Sequence, residues 1–139
     1  MKYIKSISWF LGTSMFMFGI LKFVNPFKGW YSVQVTNSGL GEYSYWMGIA
    51  GEITVGVTLM VTLVCRQKIS EKTFSVLITS ASLIIIIMML TGIYVHLQPK
   101  VPADVLPLKI KPPYIPGFFL LLALSNIILT HYGRRKISI

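Results

Sequence analysis

The chain has 139 residues, enough for one domain. Hydrophobic residues make up 54% and charged residues 12%, against about 25% charged in a typical soluble domain. Such a composition excludes a disordered tail and argues against a water-soluble globule. Thirteen Lys and Arg face four Asp and Glu, a net charge of +9. A nucleic-acid binder gathers its cations in one continuous patch. Here they fall in short clusters between long apolar runs, the membrane pattern. The single cysteine, Cys65, excludes an internal disulfide and any CxxC redox pair.

A helix needs about 20 apolar residues to cross a hydrocarbon core about 30 Å thick. Four stretches are that long, and they predict an all-α, four-helix transmembrane bundle with extended outer loops, forming one domain over 1–139. The first runs from about Ile4 to Val24. Lys2 and Lys5 ahead of it raise a signal peptide as the rival reading. Its end, Leu21-Lys22-Phe23-Val24-Asn25-Pro26, lacks the small-residue cleavage pattern, so it is read as a retained helix. Gly12, Met15, Gly19 and Lys22 share one sector of this helix, about 80° wide.

The following segment, Asn25 to Tyr43, is rich in aromatic residues. Phe27, Trp30, Tyr31 and Gln34 suit either a short helix lying at the interface or an ordinary aromatic belt. The second span runs from about Ser44 to Cys65. Glu52 lies about 12 Å along it. A carboxyl group at that depth is costly unless paired or protonated. Gly48, Glu52 and Gly56 follow at intervals of four, on one face where another helix can come close. Lys22 is the predicted partner of Glu52, the alternative being that its amine snorkels to the headgroups.

The third span runs from about Thr73 to Leu97 and has no charged residue between Thr73 and Tyr94. Met88, Gly92 and His96 share a face. His96 is read as a polar cap at the helix end, with a metal site of His96, Glu52 and Glu42 as the alternative. Gln98 to Pro116 contains six of the seven prolines and predicts an extended, semi-rigid outer loop. The fourth span runs from about Tyr114 to Tyr132. Asn126 and Thr130, with Ser125 beside them, predict hydrogen bonds between helices. His131 lies at the opposite end of the membrane from His96, so the two cannot share a haem.

With four spans, the N-terminus, the middle loop and the C-terminus lie on one side. They carry Lys2, Lys5, Arg66, Lys68, Lys72, Arg134, Arg135 and Lys136. The longer segments on the other side carry Lys22, Lys28, Lys100, Lys109 and Lys111. Both termini are therefore predicted to be cytoplasmic. The expected partners are membrane lipid and either another protein or a second copy; no nucleic acid is expected. No phosphate loop, nucleophile elbow, HExxH or catalytic carboxylate pair is present in the sequence.

Gly19-Ile20-Leu21-Lys22, then Gly39-Leu40-Gly41, then Gly48-Ile49-Ala50-Gly51-Glu52 and Gly56-Val57-Thr58-Leu59 resemble the DoxX family of small four-helix membrane proteins. The likeness covers about the first 95 residues and extends beyond them by topology alone. Family members often carry an arginine early in the first helix, where this chain has Ser8, Trp9 and Phe10. The resemblance implies a bacterial inner-membrane protein. Some relatives look like subunits of quinone-reducing sulfur oxidation systems, and others associate with redox enzymes or act as assembly factors. The fold is similar in shape to thiol–quinone oxidoreductases, whose cysteine pairs this chain lacks.

Two functional readings follow. One is a non-enzymatic accessory protein or complex subunit, with Gly12, Gly19, Gly48 and Gly56 as packing positions. The other is a redox-coupled bundle that binds a quinone, lipid or other amphiphile near Lys22, Glu52 and His96, with Asn126 completing the polar core. A proton path is the third reading, thinly supported by one central carboxyl.

Overall fold

The computed structural model describes the backbone of residues 1–137 and the side chains of residues 1–133. The side chains of Arg134, Arg135 and Lys136, counted above among the cytoplasmic cations, lie outside the described residues. The described chain is helical, with five α-helices: α1 (Lys2–Leu21), α2 (Phe27–Asn37), α3 (Glu42–Val64), α4 (Glu71–Leu97) and α5 (Tyr114–Ile137). Four stretches are long and apolar enough to cross a membrane: Lys2–Leu21, Glu42–Val64, Glu71–Leu97 and Tyr114–Gly133. They fit an integral membrane protein. The aromatic segment after the first span folds into a fifth, shorter helix, α2, one of the two readings its sequence allows.

α1 stops at Leu21, earlier than the predicted Val24, because Asn25-Pro26 is near. A residue before proline is pushed out of the helical region, and proline supplies no amide. The chain turns over 22–26, and Pro26 caps α2. α2 closes on Gly39 at φ +75°. The Leu40 amide donates to Val35 O at 3.2 Å and the Gly39 amide to Thr36 O at 3.2 Å. This paired termination needs a left-handed residue, which glycine supplies without strain. Ser70 caps α4 by accepting from the Thr73 amide at 3.1 Å. Pro116 is tolerated because the first turn of α5 needs no amide donors.

The four long helices form a closed ring of neighbours, α1 against α3, α3 against α4, α4 against α5 and α5 against α1. Their shared interior is apolar, with Leu11, Met15, Val55, Leu59, Ile78, Ile85 and Ala123 at its centre. The outward faces are also apolar, for example Val61, Val64, Ile87, Leu121 and Ile128. In water such surface would be a liability; against acyl chains it is the required one. Gly12 meets Leu59 and the Gly56 carbonyl, while Gly19 meets Glu52 and Ile53. As α1 advances α3 therefore retreats, so the two are antiparallel at close approach.

This register leaves the first turns of α3 standing above the end of α1. α2 fills that space. The proline-rich segment then folds over α2. It is not simply extended as expected, since Ala103–Val105 and Pro107–Lys109 each make one turn of 3₁₀ helix. Val95, Val101 and Leu106 bury a small second core with Leu40 and Val105. Asn37 donates to Lys100 O at 2.9 Å, and Gln34 donates to Val105 O. The result is a cap of α2 and loop at one end of the long helices.

Candidate functional site

The turn after α1 places Lys22 over the middle of α3. Its ammonium donates to both oxygens of Glu52, each at 2.6 Å. Glu52 is 8% exposed. The same ammonium lies 4.0 Å from the centre of the Tyr31 ring, an arrangement that adds cation–π attraction where water is scarce. Tyr31 comes from α2. Its hydroxyl donates toward Tyr45 O at 3.1 Å and Ser44 O at 3.3 Å, and its ring packs on Tyr45 at 4.8 Å. Burial first, and the Glu52 carboxylate second, push this hydroxyl well above the ordinary phenol range. It therefore stays protonated and keeps donating.

Gly48 explains why Tyr31 fits. A Cβ at position 48 would collide with the Tyr31 hydroxyl. The sequence reads Gly48 as a position where another helix comes close; the helix that does so is the short α2, through the Tyr31 side chain. Gly19 does lie at a long-helix contact, since a Cβ there would come within 2.6 Å of Ile53 Cγ1 and 3.3 Å of Glu52 Cβ. Three elements therefore converge on one ion pair: the end of α1, the ring of Tyr31 and the face of α3.

His96 and Asn126 do not join this group. His96 is buried at the cap end of α4, and its Nδ1 donates to Lys111 O at 3.1 Å. A carbonyl can only accept, which fixes the proton on Nδ1. Lys111 in turn donates to Gln98 O at 2.6 Å and Val101 O at 2.5 Å. Its charge thus sits on the carbonyl end of α4, where the helix dipole favours a cation. His96 serves the cap.

Asn126 lies towards the other end, fully buried among three helices. It donates to Ser8 Oγ of α1 at 2.9 Å and Ser82 Oγ of α4 at 3.2 Å, and Ser8 Oγ lies 3.1 Å from Asn126 Oδ1. Ser8 precedes Lys22 by fourteen residues, about 21 Å along the helix. The polar core read from the sequence as one set is thus three separate clusters. Among the described residues Thr130 and Ser125 make no bond between helices; they donate to Asn126 O at 2.7 Å and Leu121 O at 2.8 Å within α5. Asn126→Ala is expected to cost about 1–2 kcal/mol, from two interhelical hydrogen bonds and a small cavity. Thr130→Val is expected to cost under about 0.5 kcal/mol. Unfolding in mixed detergent and dodecyl sulfate micelles measures both.

Sequence reasoning missed Tyr31 as a member of the site, Ser8 and Ser82 as partners of Asn126, and Lys111 as the ammonium over α4. For Tyr31 a signal existed: Gly48 one turn before Glu52 marks a vacancy beside the carboxylate. For the serines there was none, since single hydroxyls are common in apolar helices. Among the described residues, no three His, Cys, Asp or Glu side chains gather where a metal ion would need them. Glu42 and His96 do not join Glu52.

Comparison with protein-family models, with curated proteins and with solved structures finds no match.

Proposed function

We propose that the chain is a membrane accessory protein or complex subunit of the DoxX-like type. In this reading α1, α3, α4 and α5 form a four-helix transmembrane bundle in a bacterial inner membrane, and both termini face the cytoplasm. The observation that carries the proposal is the closed Lys22–Glu52–Tyr31 cluster. Both carboxylate oxygens, the ammonium and the tyrosine hydroxyl find their partners inside the chain. A group so arranged holds α1, α2 and α3 in one fixed relation and presents a rigid body to a neighbour. The surface left for that neighbour is apolar helix and a proline-stiffened cap.

Extraction in a mild detergent tests the proposal. The chain is expected to migrate with a second membrane protein, or with another copy of itself, in a fixed ratio. A lone monomer at every detergent concentration would contradict it. A second reading, binding of a quinone, lipid or other amphiphile, draws on the partial exposure of the two side chains taken alone, 17% for that of Lys22 and 10% for that of Glu52. Glu52→Gln distinguishes the two. A folded Glu52→Gln protein that still complements a deletion strain would remove the basis of the amphiphile reading.

A further inference from the structure

The end of the molecule opposite the cap carries a group of cations that neither the ion pair nor the cap uses. Lys2 and Lys5 open α1, Lys68 lies in the turn after α3, and Lys72 lies in the first turn of α4; all four are exposed. Packing brings these segments to one end. Ile4, Leu63 and Phe74 belong to one buried cluster. In the α1–α3 register, Gly12 stands opposite Leu59. Carried seven residues further, it sets Lys5 level with Arg66. Arg66 is already engaged, bonded to Glu71 and lying 4.4 Å from the centre of the Phe74 ring. Of the four acidic residues in the chain, Glu71 is the one at this end. Among the described residues, none of the four lysines has an ion-pair partner.

Apolar surface begins directly beneath this rim. Trp9 falls in the same sector of α1 as Lys2 and Lys5, within about 60°, and is 44% exposed. Val61 and Val64 are exposed on α3, and Val76 on α4. Ammonium groups above an indole and a band of aliphatic side chains match the profile of a phospholipid, phosphate above acyl chain.

We propose that this rim binds the phosphate of an anionic phospholipid, with Lys2, Lys5, Lys68 and Lys72 around the headgroup and Trp9 and Val64 against the upper acyl chain. The inference rests on reading the long helices as membrane spans. It is independent of any role for Glu52.

Native mass spectrometry of the full chain in neutral detergent, with phosphatidylglycerol and phosphatidylcholine of identical chains in equal amounts, tests it. Phosphatidylglycerol is expected to be retained at least tenfold better. The K2Q/K5Q/K68Q/K72Q variant is expected to lose that preference and retain the two lipids about equally. The K28Q/K100Q/K109Q variant, altered at the cap end, is expected to keep it. If the fourfold variant does not fold, K2Q/K5Q and K68Q/K72Q are measured separately, each with an expected partial loss.

Equal retention of the two lipids by the unaltered chain would overturn the proposal. So would equal losses from the two sets of lysines. Displacement of phosphatidylglycerol by inorganic phosphate would assign the site to a free anion and overturn the lipid assignment. Release of the chain from membranes by alkaline carbonate would instead overturn the spanning reading beneath it.

Discussion

Lys22→Met is expected to destabilise the protein by about 3–5 kcal/mol, the cost of leaving one member of a buried ion pair without its partner. The carboxylate stranded by this change is the more buried of the two groups. Among the described residues it keeps no other donor, because the Tyr31 hydroxyl is directed to the carbonyls of Ser44 and Tyr45. Glu52→Gln is expected to cost less. There the stranded group is the Lys22 ammonium at the end of α1, which can swing outward on its four-carbon stem. Unfolding in mixed micelles ranks the two variants. A larger loss for Glu52→Gln would mean that Lys22 has no outward path.

Gly56→Ala is the second large effect expected. A Cβ at this position would lie 2.7 Å from the Phe16 amide nitrogen and 2.8 Å from the Gly12 carbonyl. These are backbone atoms of a packed helix and cannot rotate away. The α1–α3 contact must open, at a cost of about 1–3 kcal/mol. The displacement should reach the ion pair, because Gly19 holds Glu52 against α1 two turns further along. Gly117→Ala provides the comparison. Nothing lies within 4 Å of a Cβ there, and replacing a helical glycine with alanine is then expected to stabilise by up to about 1 kcal/mol. Matching losses for the two alanine variants would contradict the close approach.

The long helices were legible from the sequence because apolar length is a strong signal. Two of their ends, Leu97 and Tyr114, stand where the sequence places them, five moved by one to three residues for local reasons such as the proline after Asn25, and α5 runs on past Tyr132 to Ile137. The polar groups were harder. Glu52 and Lys22 stood out because a charge in an apolar span demands an explanation. The structure brings them within hydrogen-bonding distance. His96 and Asn126 stood out for the same reason, yet each is satisfied in its own neighbourhood. Polarity shows that a residue needs a partner, but not which one. α2 was half-legible. Its aromatic residues suited an interfacial segment, but Tyr31 turns inward to cover the pair. That depends on the stagger between α1 and α3, set by glycine contacts far apart in sequence. The cap was the least legible. Prolines do forbid a long helix there, but Lys111 and the Gln34 and Asn37 amides decide how the segment folds back.

Lys22 and Glu52 act as one unit inside the packed helices. A double-mutant cycle of Lys22→Met, Glu52→Met and the two combined, read as unfolding free energy in mixed micelles, measures this directly. The combined variant is expected to fall within about 1 kcal/mol of the unaltered protein, because an apolar pair of similar volume replaces a buried ion pair at little cost. The coupling between the sites is then at least about 2 kcal/mol. Losses that simply add, with no recovery in the combined variant, would show that the two charges do not depend on each other, and would contradict the account.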